Sequence, residues 1–536
     1  MAVTYASPGV YVVEVKSGPQ PIEATGTSLA AFVGITAEAS YKQMGSNGEP
    51  ERDRTGKKII AESRLKKPTL VTSWNQFTKI FGEFLTDNRG YLPDAVYGYF
   101  QNGGGPCYIV SLRAVDEMGS VEAKAQKASA EIPADDGSVS VRVTAKDAGA
   151  AGNDLSLTIE AGEDDTFTVK IGDDVKTGLT MTSSGKTSLS SPGNRLRQVD
   201  ISVVGKANPK PGVYPLSGGA DRTVGEQPHH ALSAVDLLGD LDERTGLNGL
   251  DAIDEVRLIA FPDVMVGYSG SEADRLRVKE IQGAIIAHCE HEGRRDRFAI
   301  LDTPPNLNVQ QALEWREYVS FDTSYAALYY PWIEVSDFSD SAAKTRFVPP
   351  SGHLIGLYNR VDSERGVHKA PANETLFGAI GLQLNVSKGE QDVLNPIGVN
   401  CIRAFTNRGI RVWGARTLST TEGAWRYISV RRLFIMVETS LQNGMQWVVF
   451  EPNDRMLWAK VRRDVSAFLR TVWRSGALFG SNPEEAFYVK CDDELNPPEI
   501  RDLGQLIVEV GLAPVKPAEF VIFRISQWAG ANAEGE

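Results

Sequence analysis

Three apolar segments alternate with two helical ones between residues 256 and 329, and this rhythm constrains the fold more than any other feature of the sequence. The apolar segments span residues 256–261, 297–302 and 324–329, and the helical spacing covers residues 272–290 and 309–318. Continuous apolar runs of this length are typical of strands buried on both faces, and strands that alternate with helices form parallel sheets. The pattern therefore predicts a multidomain protein with an α/β body.

Two apolar runs nearer the N-terminus, at residues 29–35 and 107–112, have the same character. Between them Ser73 precedes a run with helical spacing, so we expect it to cap a helix. Both runs are predicted to add strands to the sheet of the α/β body.

The composition changes abruptly at about residue 116. From there to residue 219, Phe167 and Tyr214 are the only aromatic residues, and short alternating stretches are separated by Gly-Asp and Ser-Gly turns. Alternation with period two and frequent turns predicts strands. We therefore expect an inserted β-rich domain at 116–219, and we assign 22–115 and 220–360 to the α/β body.

The last third of the chain has helical spacing at residues 430–441 and 457–472, with a strand-like segment at 446–450 between them. We assign an α+β domain to residues 361–518. Residues 401–475 contain thirteen Lys or Arg and five Asp or Glu, a local charge of +8 in a chain whose formal net charge is −13. A basic module in an acidic chain is expected to face an acidic partner, although solvated helix faces give the same composition.

Composition also excludes several classes of protein. The acidic excess disfavours direct contact with nucleic acid or an anionic membrane, and no segment reaches the ~18 apolar residues of a membrane span. The four cysteines lie far apart without a CxxC pair, so we expect buried, reduced thiols rather than a zinc site. Residues 1–20 do not resemble a secretory signal peptide, and we expect assembly in the cytoplasm.

Three patterns could carry chemistry, and none is complete. The glycine-lysine-threonine at 185–187 lacks the earlier glycine that a phosphate-binding loop needs. Potential metal ligands cluster at 288–292 without an HExxH motif, which favours a polar helix end. Ser351 and His353 are close in sequence, but no GxSxG motif is present. We predict no catalytic residue, cofactor or metal; a serine hydrolase is the alternative.

Both ends of the chain carry strand-like segments without an adjacent partner strand. Such segments expose unpaired backbone groups, so they pair either within their own subunit or with another one. Pro and Gly flank the first segment, and ~20 extended residues reach ~65 Å, enough to enter a neighbour. We assign arms to residues 1–21 and 519–536, the latter including a polar tail. The predicted arm strands comprise Val10, Tyr11, Val12, Val13, Glu14, Val15, Phe520, Val521, Ile522, Phe523, Arg524 and Ile525.

These segments, together with several internal motifs, make the chain resemble the contractile tail sheath family of phages, R-type bacteriocins and phage-like injection systems. The resemblance extends over nearly the whole chain. The stretches that carry it are 8–15, 28–34, 151–154, 349–357, Asp362, 369–373, 407–417 and 427–433.

The resemblance implies a structural subunit that stacks in rings around an inner tube and contracts once. It also implies a subtilisin-like α/β body without protease activity, and arms that interlock with neighbouring subunits at an α+β sheath assembly domain. The implied partners are further copies of the chain, the inner tube protein, and baseplate and tail-terminator or cap proteins. Whether the particle is a phage, a bacteriocin or a headless injection system stays open at this point.

Contraction is expected to release stored conformational energy without nucleotide hydrolysis. Gly18-Pro19 and residues 514–517 are expected to act as hinges of the arms. The contacts to the inner tube, or to neighbouring subunits, are predicted on arginines of the two C-terminal helices: Arg431, Arg432, Arg462, Arg463, Arg470 and Arg474.

Overall fold

A computed structural model describes most of the chain and divides it into two compact units. One unit is Met118–His230, and the other combines Met1–Glu117 with Ala231–Glu536. The predicted N-terminal arm strand, residues 10–15, lies outside the described residues. The described residues are 22–45, 50–52, 58–86, 89–116, 122–123, 127–146, 150–172, 174–182, 185–218, 223–224, 231–291, 293–339, 344–421 and 423–524.

A nine-stranded sheet forms the centre of the larger unit. Its order is β7-β9-β8-β6-β5-β4-β1-β3-β2, where the strands are β1 (Ala30–Thr36), β2 (Thr69–Val71), β3 (Cys107–Ala114), β4 (Leu258–Ala260), β5 (Phe298–Asp302), β6 (Ala326–Tyr330), β7 (Glu374–Thr375), β8 (Val399–Phe405) and β9 (Gly409–Val412). The six strands from β8 to β3 are parallel, and the outer pairs β2–β3, β8–β9 and β7–β9 are antiparallel. The predicted parallel sheet is confirmed.

The helices of this unit follow the apolar spacing of the sequence. They are α1 (Trp74–Phe81), α2 (Leu92–Gln101), α3 (Ala234–Leu238), α4 (Gly246–Gly249), α5 (Glu272–Glu290), α6 (Val309–Val319), α7 (Ser351–Arg365), α8 (Lys388–Leu394), α9 (Ile428–Gly444), α10 (Arg455–Arg474), α11 (Pro483–Ala486) and α12 (Pro498–Asp502). Ser73 caps α1 by accepting a hydrogen bond from the Gln76 N–H, as predicted. Among the described residues, no helix is both long enough and apolar enough to cross a membrane.

The sheet continues beyond residue 360, where the sequence placed the end of the body. Strand β8 pairs in parallel with β6 through Leu328 and Val399, and β7 and β9 extend the same sheet. This pairing assigns residues 374–412 to the body, although the sequence assigned them to the α+β domain. A switch from parallel to antiparallel pairing at a sheet edge leaves no clear mark in the apolar pattern.

The C-terminal module has an apolar core of its own. Helices α9 and α10 form this core with a two-stranded antiparallel sheet, Phe487–Lys490 and Glu509–Leu512. The strand predicted at 446–450 is wrong: Gln446–Val448 is a 3₁₀ turn, and Phe450 is fully exposed with φ +69°. The N–H groups of Val448 and Val449 bond to the Met445 and Gln446 carbonyls, so these two groups are not free to pair with a strand.

Smaller elements complete the larger unit. Short strands form a three-stranded and a two-stranded sheet: Ile333–Ser336, Thr345–Val348 and Gly381–Leu382; and Ser40–Lys42 and Ile60–Ser63. Further 3₁₀ turns lie at Leu250–Ala252, Pro262–Met265, Asn395–Ile397 and Gly423–Trp425.

The smaller unit consists of strands around a separate apolar core, as its composition predicts. Its described strands form a three-stranded, a four-stranded and a two-stranded sheet: Ser129–Pro133, Val139–Ala145 and Val199–Val203; Ser156–Ala161, Phe167–Ile171, Asp174–Leu179 and Gly212–Pro215; and Glu122–Ala123 and Thr223–Val224. Two 3₁₀ turns, Ala150–Asp154 and Pro192–Asn194, connect strands. The glycine-lysine-threonine at 185–187 lies in an exposed turn, closed by a bond from the Ser188 N–H to the Gly185 carbonyl.

Candidate functional site

The segment that follows the N-terminal arm is bound to the C-terminal module. The Thr25 N–H donates to Ser440 Oγ at 2.9 Å, and Thr27 Oγ1 donates to Asp362 Oδ2 at 2.6 Å. Ile22 is buried in the core of the module. We call Thr25, Thr27 and their partners on α7 and α9 the N-terminal anchor.

Arg432 links this anchor to the body. Its guanidinium donates to both carboxylate oxygens of Asp362, at 3.0 and 2.5 Å, and to the Thr27 carbonyl at 3.0 Å. The side chains of Arg432 and Asp362 are 3% and 5% exposed. In this subunit Arg432 is therefore not presented to an inner tube or a neighbour, because its guanidinium is buried and hydrogen-bonded within its own subunit.

Arg431 is also directed inward. It donates to Ser324 Oγ at 2.9 Å and to Tyr325 Oη at 3.2 Å, and its guanidinium lies 3.6 Å from the centre of the Trp425 ring. A guanidinium held over an aromatic face gains a cation–π interaction. Arg431 therefore joins α9 to the residues just before β6, and its side chain is buried instead of facing outward.

A carboxylate at the start of the predicted C-terminal arm is held by three side chains. Glu519 Oε1 accepts bonds from Arg416 Nε at 2.9 Å and Asn395 Nδ2 at 2.6 Å. Glu519 Oε2 accepts bonds from Arg416 Nη2 at 2.7 Å and Tyr427 Oη at 3.0 Å. Burial alone would raise the pKa of the Glu519 carboxyl, but these bonds bring the pKa below its ordinary value. We call the four residues the Glu519 clip.

Immediately after the Glu519 clip, four consecutive apolar side chains face solvent. Phe520, Val521, Ile522 and Phe523 are 71%, 69%, 81% and 84% exposed. Residues 520–524 form no strand in the isolated subunit, and Ile525 lies outside the described residues. The alternative in which 520–524 pair within their own subunit is therefore not observed.

The outer face of α10 is basic. Its apolar face, which includes Trp458, Val461 and Phe468, is buried in the module. Arg462 is half-buried and donates to the Cys491 carbonyl. The exposed cationic residues of the helix, which we call the basic stripe, are Arg455, Lys460, Arg463, Arg470 and Arg474. Of the six predicted contact arginines, three therefore lie on an accessible surface.

The sequence patterns did not identify the residues that bind both arm segments. Asp362, Arg416 and Tyr427 lie within the motifs that carry the family resemblance, so that signal was available. The sequence did not reveal what these residues bind, because the partners are far apart in the chain: Glu519 is 103 residues from Arg416.

The patterns considered for catalysis or metal binding have structural explanations. Nε2 of His288 is hydrogen-bonded to Arg297, and no group of three potential metal ligands occurs in the described part of the chain. Ser351 Oγ and His353 Nδ1 are buried, and neither atom has a hydrogen-bond partner. The serine hydrolase alternative has no support. All four cysteines are buried and free, as expected.

The sequence is similar to known sheath proteins. Residues 243–418 match the family described as "Phage tail sheath protein central domain", and residues 420–527 match "Phage tail sheath C-terminal domain". A tail sheath protein of Salmonella phage ViI is 28% identical over 210 residues, which cover 38% of this chain and 32% of the relative. A tail sheath protein of Burkholderia phage BcepMu is 28% identical over 235 residues, covering 41% of this chain and 48% of the relative. The matched region thus spans 32% and 48% of the length of these two relatives.

The fold is similar to that of two solved sheath structures over almost the whole chain. One is the PVC sheath complex of an extracellular contractile injection system in the contracted state, with a TM-score of 0.57 and 24% identity, covering 98% of this chain and 99% of the other. The other is the helical sheath of the anti-feeding prophage in the contracted state, with a TM-score of 0.57 and 24% identity, covering 98% and 100%. Identity at this level shows a shared fold. With its two family matches, which together cover more than half of its length, the chain belongs to the phage tail sheath protein family.

Proposed function

We propose that this chain is the structural subunit of a contractile sheath that polymerises helically around an inner tube. One similar solved structure is described as a helical sheath in the contracted state. The observation that carries the proposal is the exposed apolar segment 520–523 beyond the Glu519 clip. A soluble protein rarely exposes several large apolar side chains in a row unless a partner covers them. We assign this partner as a second copy of the chain.

The two-stranded sheet of the C-terminal module supplies a place for strand exchange. Among the described residues, Phe487–Lys490 and Glu509–Leu512 pair only with each other, which leaves an open edge on each side. An extended arm that adds to such an edge gains directional backbone hydrogen bonds. An isolated two-stranded sheet is only marginally stable, so added strands would also stabilise the module.

Contraction would be a rigid-body rearrangement of subunits from a metastable packing to one with more buried interface. The body would be subtilisin-like in shape and would carry no protease or nucleotide chemistry. Other partners would be the inner tube protein, baseplate proteins and tail-terminator or cap proteins; one similar structure, with a TM-score of 0.55, is described as a baseplate of the anti-feeding prophage. Assembly would occur in the bacterial cytoplasm, in a phage tail or a tail-like particle.

The basic stripe of α10 is our candidate for the surface that faces the inner tube. Exposed ion pairs contribute only ~0–1 kcal/mol each, which suits a contact that is released during contraction. Arg463, Arg470 and Arg474 are the predicted residues that remain candidates, because their side chains are exposed.

The experiment that tests the assembly proposal is truncation of the arms. The full chain is expected to form tubes visible by negative-stain electron microscopy, whereas variants lacking residues 1–18 or 520–536 should remain monomers with an unchanged melting temperature. Removal of residues 529–536, which follow the apolar part of the arm, is the matched control and should leave tube formation intact. Tubes of normal length from either arm truncation would contradict the proposal.

A further inference from the structure

We infer that the Glu519 clip is a positioning device that fixes where the C-terminal arm leaves the subunit, so that the arm pivots between Glu519 and Phe520. The inference rests on the proposed assembly function. The proposed pivot lies further along the chain than the hinge expected at the prolines of residues 514–517. Glu519 and Arg416 are then positioning residues for the contact with a second copy of the chain.

The proline segment is fastened on its N-terminal side. The Ala513 N–H donates to the Ala486 carbonyl at 2.9 Å, and the Phe479 N–H donates to the Ala513 carbonyl at 2.8 Å. The Val515 N–H then donates to the Ala477 carbonyl at 3.1 Å. A segment held by three backbone bonds and followed by the Glu519 clip has little freedom to act as a hinge, so the hinge expectation at 514–517 does not fit this structure.

The Glu519 clip holds the chain from three directions. The three hydrogen-bond donors lie next to three different elements. Asn395 comes directly after α8, Arg416 lies four residues beyond β9, and Tyr427 comes directly before α9. The paired bonds from the Arg416 guanidinium to both carboxylate oxygens fix the orientation of the side chain as well as its position. The side chains of Arg416 and Glu519 are 10% and 18% exposed, so water competes only weakly for these bonds.

The change from held to free occurs within one residue. Glu519 accepts four hydrogen bonds, whereas the side chain of Phe520 is 71% exposed. An arm that starts from a fixed point searches a smaller volume for its partner than one released from Val515 onward. Fixing its origin therefore lowers the ordering cost of strand exchange and raises the effective concentration of the arm at the neighbour.

The inference can be tested on the monomer by measuring distances between two spin labels. Val521→Cys and Glu317→Cys place one label on the arm and one on the exposed side of α6, and the native cysteines are all buried. Glu519→Gln should broaden the distance distribution clearly, because an amide cannot accept the same bonds from Arg416 and presents a donor to it. Glu509→Gln is the matched control: this exposed glutamate of the same terminal segment accepts a bond from Tyr488 Oη at 2.6 Å, and its loss should leave the distribution unchanged.

Assembly provides the second readout. Glu519→Gln is expected to raise the subunit concentration needed for tube formation several-fold while the subunit stays folded. Pro517→Ala should change neither this concentration nor the fold. Should Glu519→Gln fold poorly, Arg416→Lys tests the same contact, since it keeps the charge but loses the paired bonds. Unchanged distances and assembly in Glu519→Gln would overturn the inference, as would broadening by Pro517→Ala alone. Failure of the unaltered chain to form tubes would instead refute the proposed function, and the monomer distances would still decide the role of the Glu519 clip.

Discussion

Helices α9 and α10 carry the same Arg-Arg pair, and the two pairs have different surroundings. Arg431 and Arg432 on α9 are buried and bonded within the subunit. On α10, Arg462 is half-buried and Arg463 is exposed, with an in-helix contact to Asp464 at 2.9 Å. The difference lies in the number of layers around each helix: α9 is buried on nearly all sides, and α10 on one side. Local basic charge therefore does not by itself identify an outer contact surface.

The largest expected effect is on Arg432. Arg432→Met should lower the free energy of unfolding by ~3–5 kcal/mol, because it leaves the Asp362 carboxylate buried without its partner. Arg470→Met on α10 is the matched control and should change stability by less than ~0.5 kcal/mol, because the Arg470 side chain is exposed. Chemical denaturation of the monomer measures both. If both substitutions lower the free energy of unfolding equally, buried and exposed arginines of the module do not differ in their contribution to stability.

Combining Arg432→Met with Asp362→Leu sharpens the same comparison. The double variant should recover part of the lost stability, because two apolar side chains no longer leave a charge unpaired. If the double variant loses as much unfolding free energy as the two single variants together, the unpaired charge is not the source of the loss.

An intermediate effect is expected for Arg431. Arg431→Met should cost ~1–2 kcal/mol, since it removes cation–π contacts with Trp425 and Tyr325 and the hydrogen bonds to Ser324 and Tyr325. The carboxylate near Arg431 is that of Glu438, which is exposed to solvent and therefore costs less to leave unpaired than Asp362. Denaturation measured beside Arg432→Met gives the ranking. A loss larger than that of Arg432→Met would reverse it and place the main link between α9 and the body at Arg431.

The smallest effect on stability, and a large one on assembly, is expected on α10. Arg470→Glu combined with Arg474→Glu should leave the melting temperature nearly unchanged, because both side chains are exposed. If the basic stripe faces the inner tube, the same variant should co-assemble poorly with the tube protein in a pull-down at physiological salt. Normal co-assembly would contradict the assignment of the basic stripe as the tube-facing surface. Lys460→Glu then tests whether a residue nearer the start of α10 also contributes to co-assembly.

The sequence predicts the body of this protein well because its signal is local. Five of the six parallel strands are short apolar runs, and α5 begins and ends where its spacing indicates. The sixth, β8, contains Asn400 and Arg403 and was not assigned to the body. The position of the arginines on α9 depends on a second layer of packing, which one apolar face does not reveal. A usable signal was present nevertheless: Ile428, Ile435 and Met436 lie off the main apolar stripe, and a helix that is apolar on several sides is buried.

The anchors of the arms could not be derived from spacing alone. Glu519 joins Arg416, and Thr27 joins Asp362, across more than a hundred residues in each case. Such pairs form only after the sheet has brought β9, α7 and α9 together, and a single polar residue in a turn has no periodicity that would reveal it. The exposed apolar run at 520–523 is different, since four apolar residues in sequence predict a strand covered on both faces.

Helix α9 carries tie points for both ends of the chain. Tyr427 at its start belongs to the Glu519 clip, and Ser440 near its end belongs to the N-terminal anchor, about 20 Å further along at 1.5 Å per residue. In a polymer joined through both arms, tension would pass from one neighbouring subunit to the next along helix α9. The parallel sheet would carry little of this load. The weakest links under tension would then be the strand pairings between subunits. The distance between the two arm attachments within one subunit would be fixed by helix α9, which is covalently continuous.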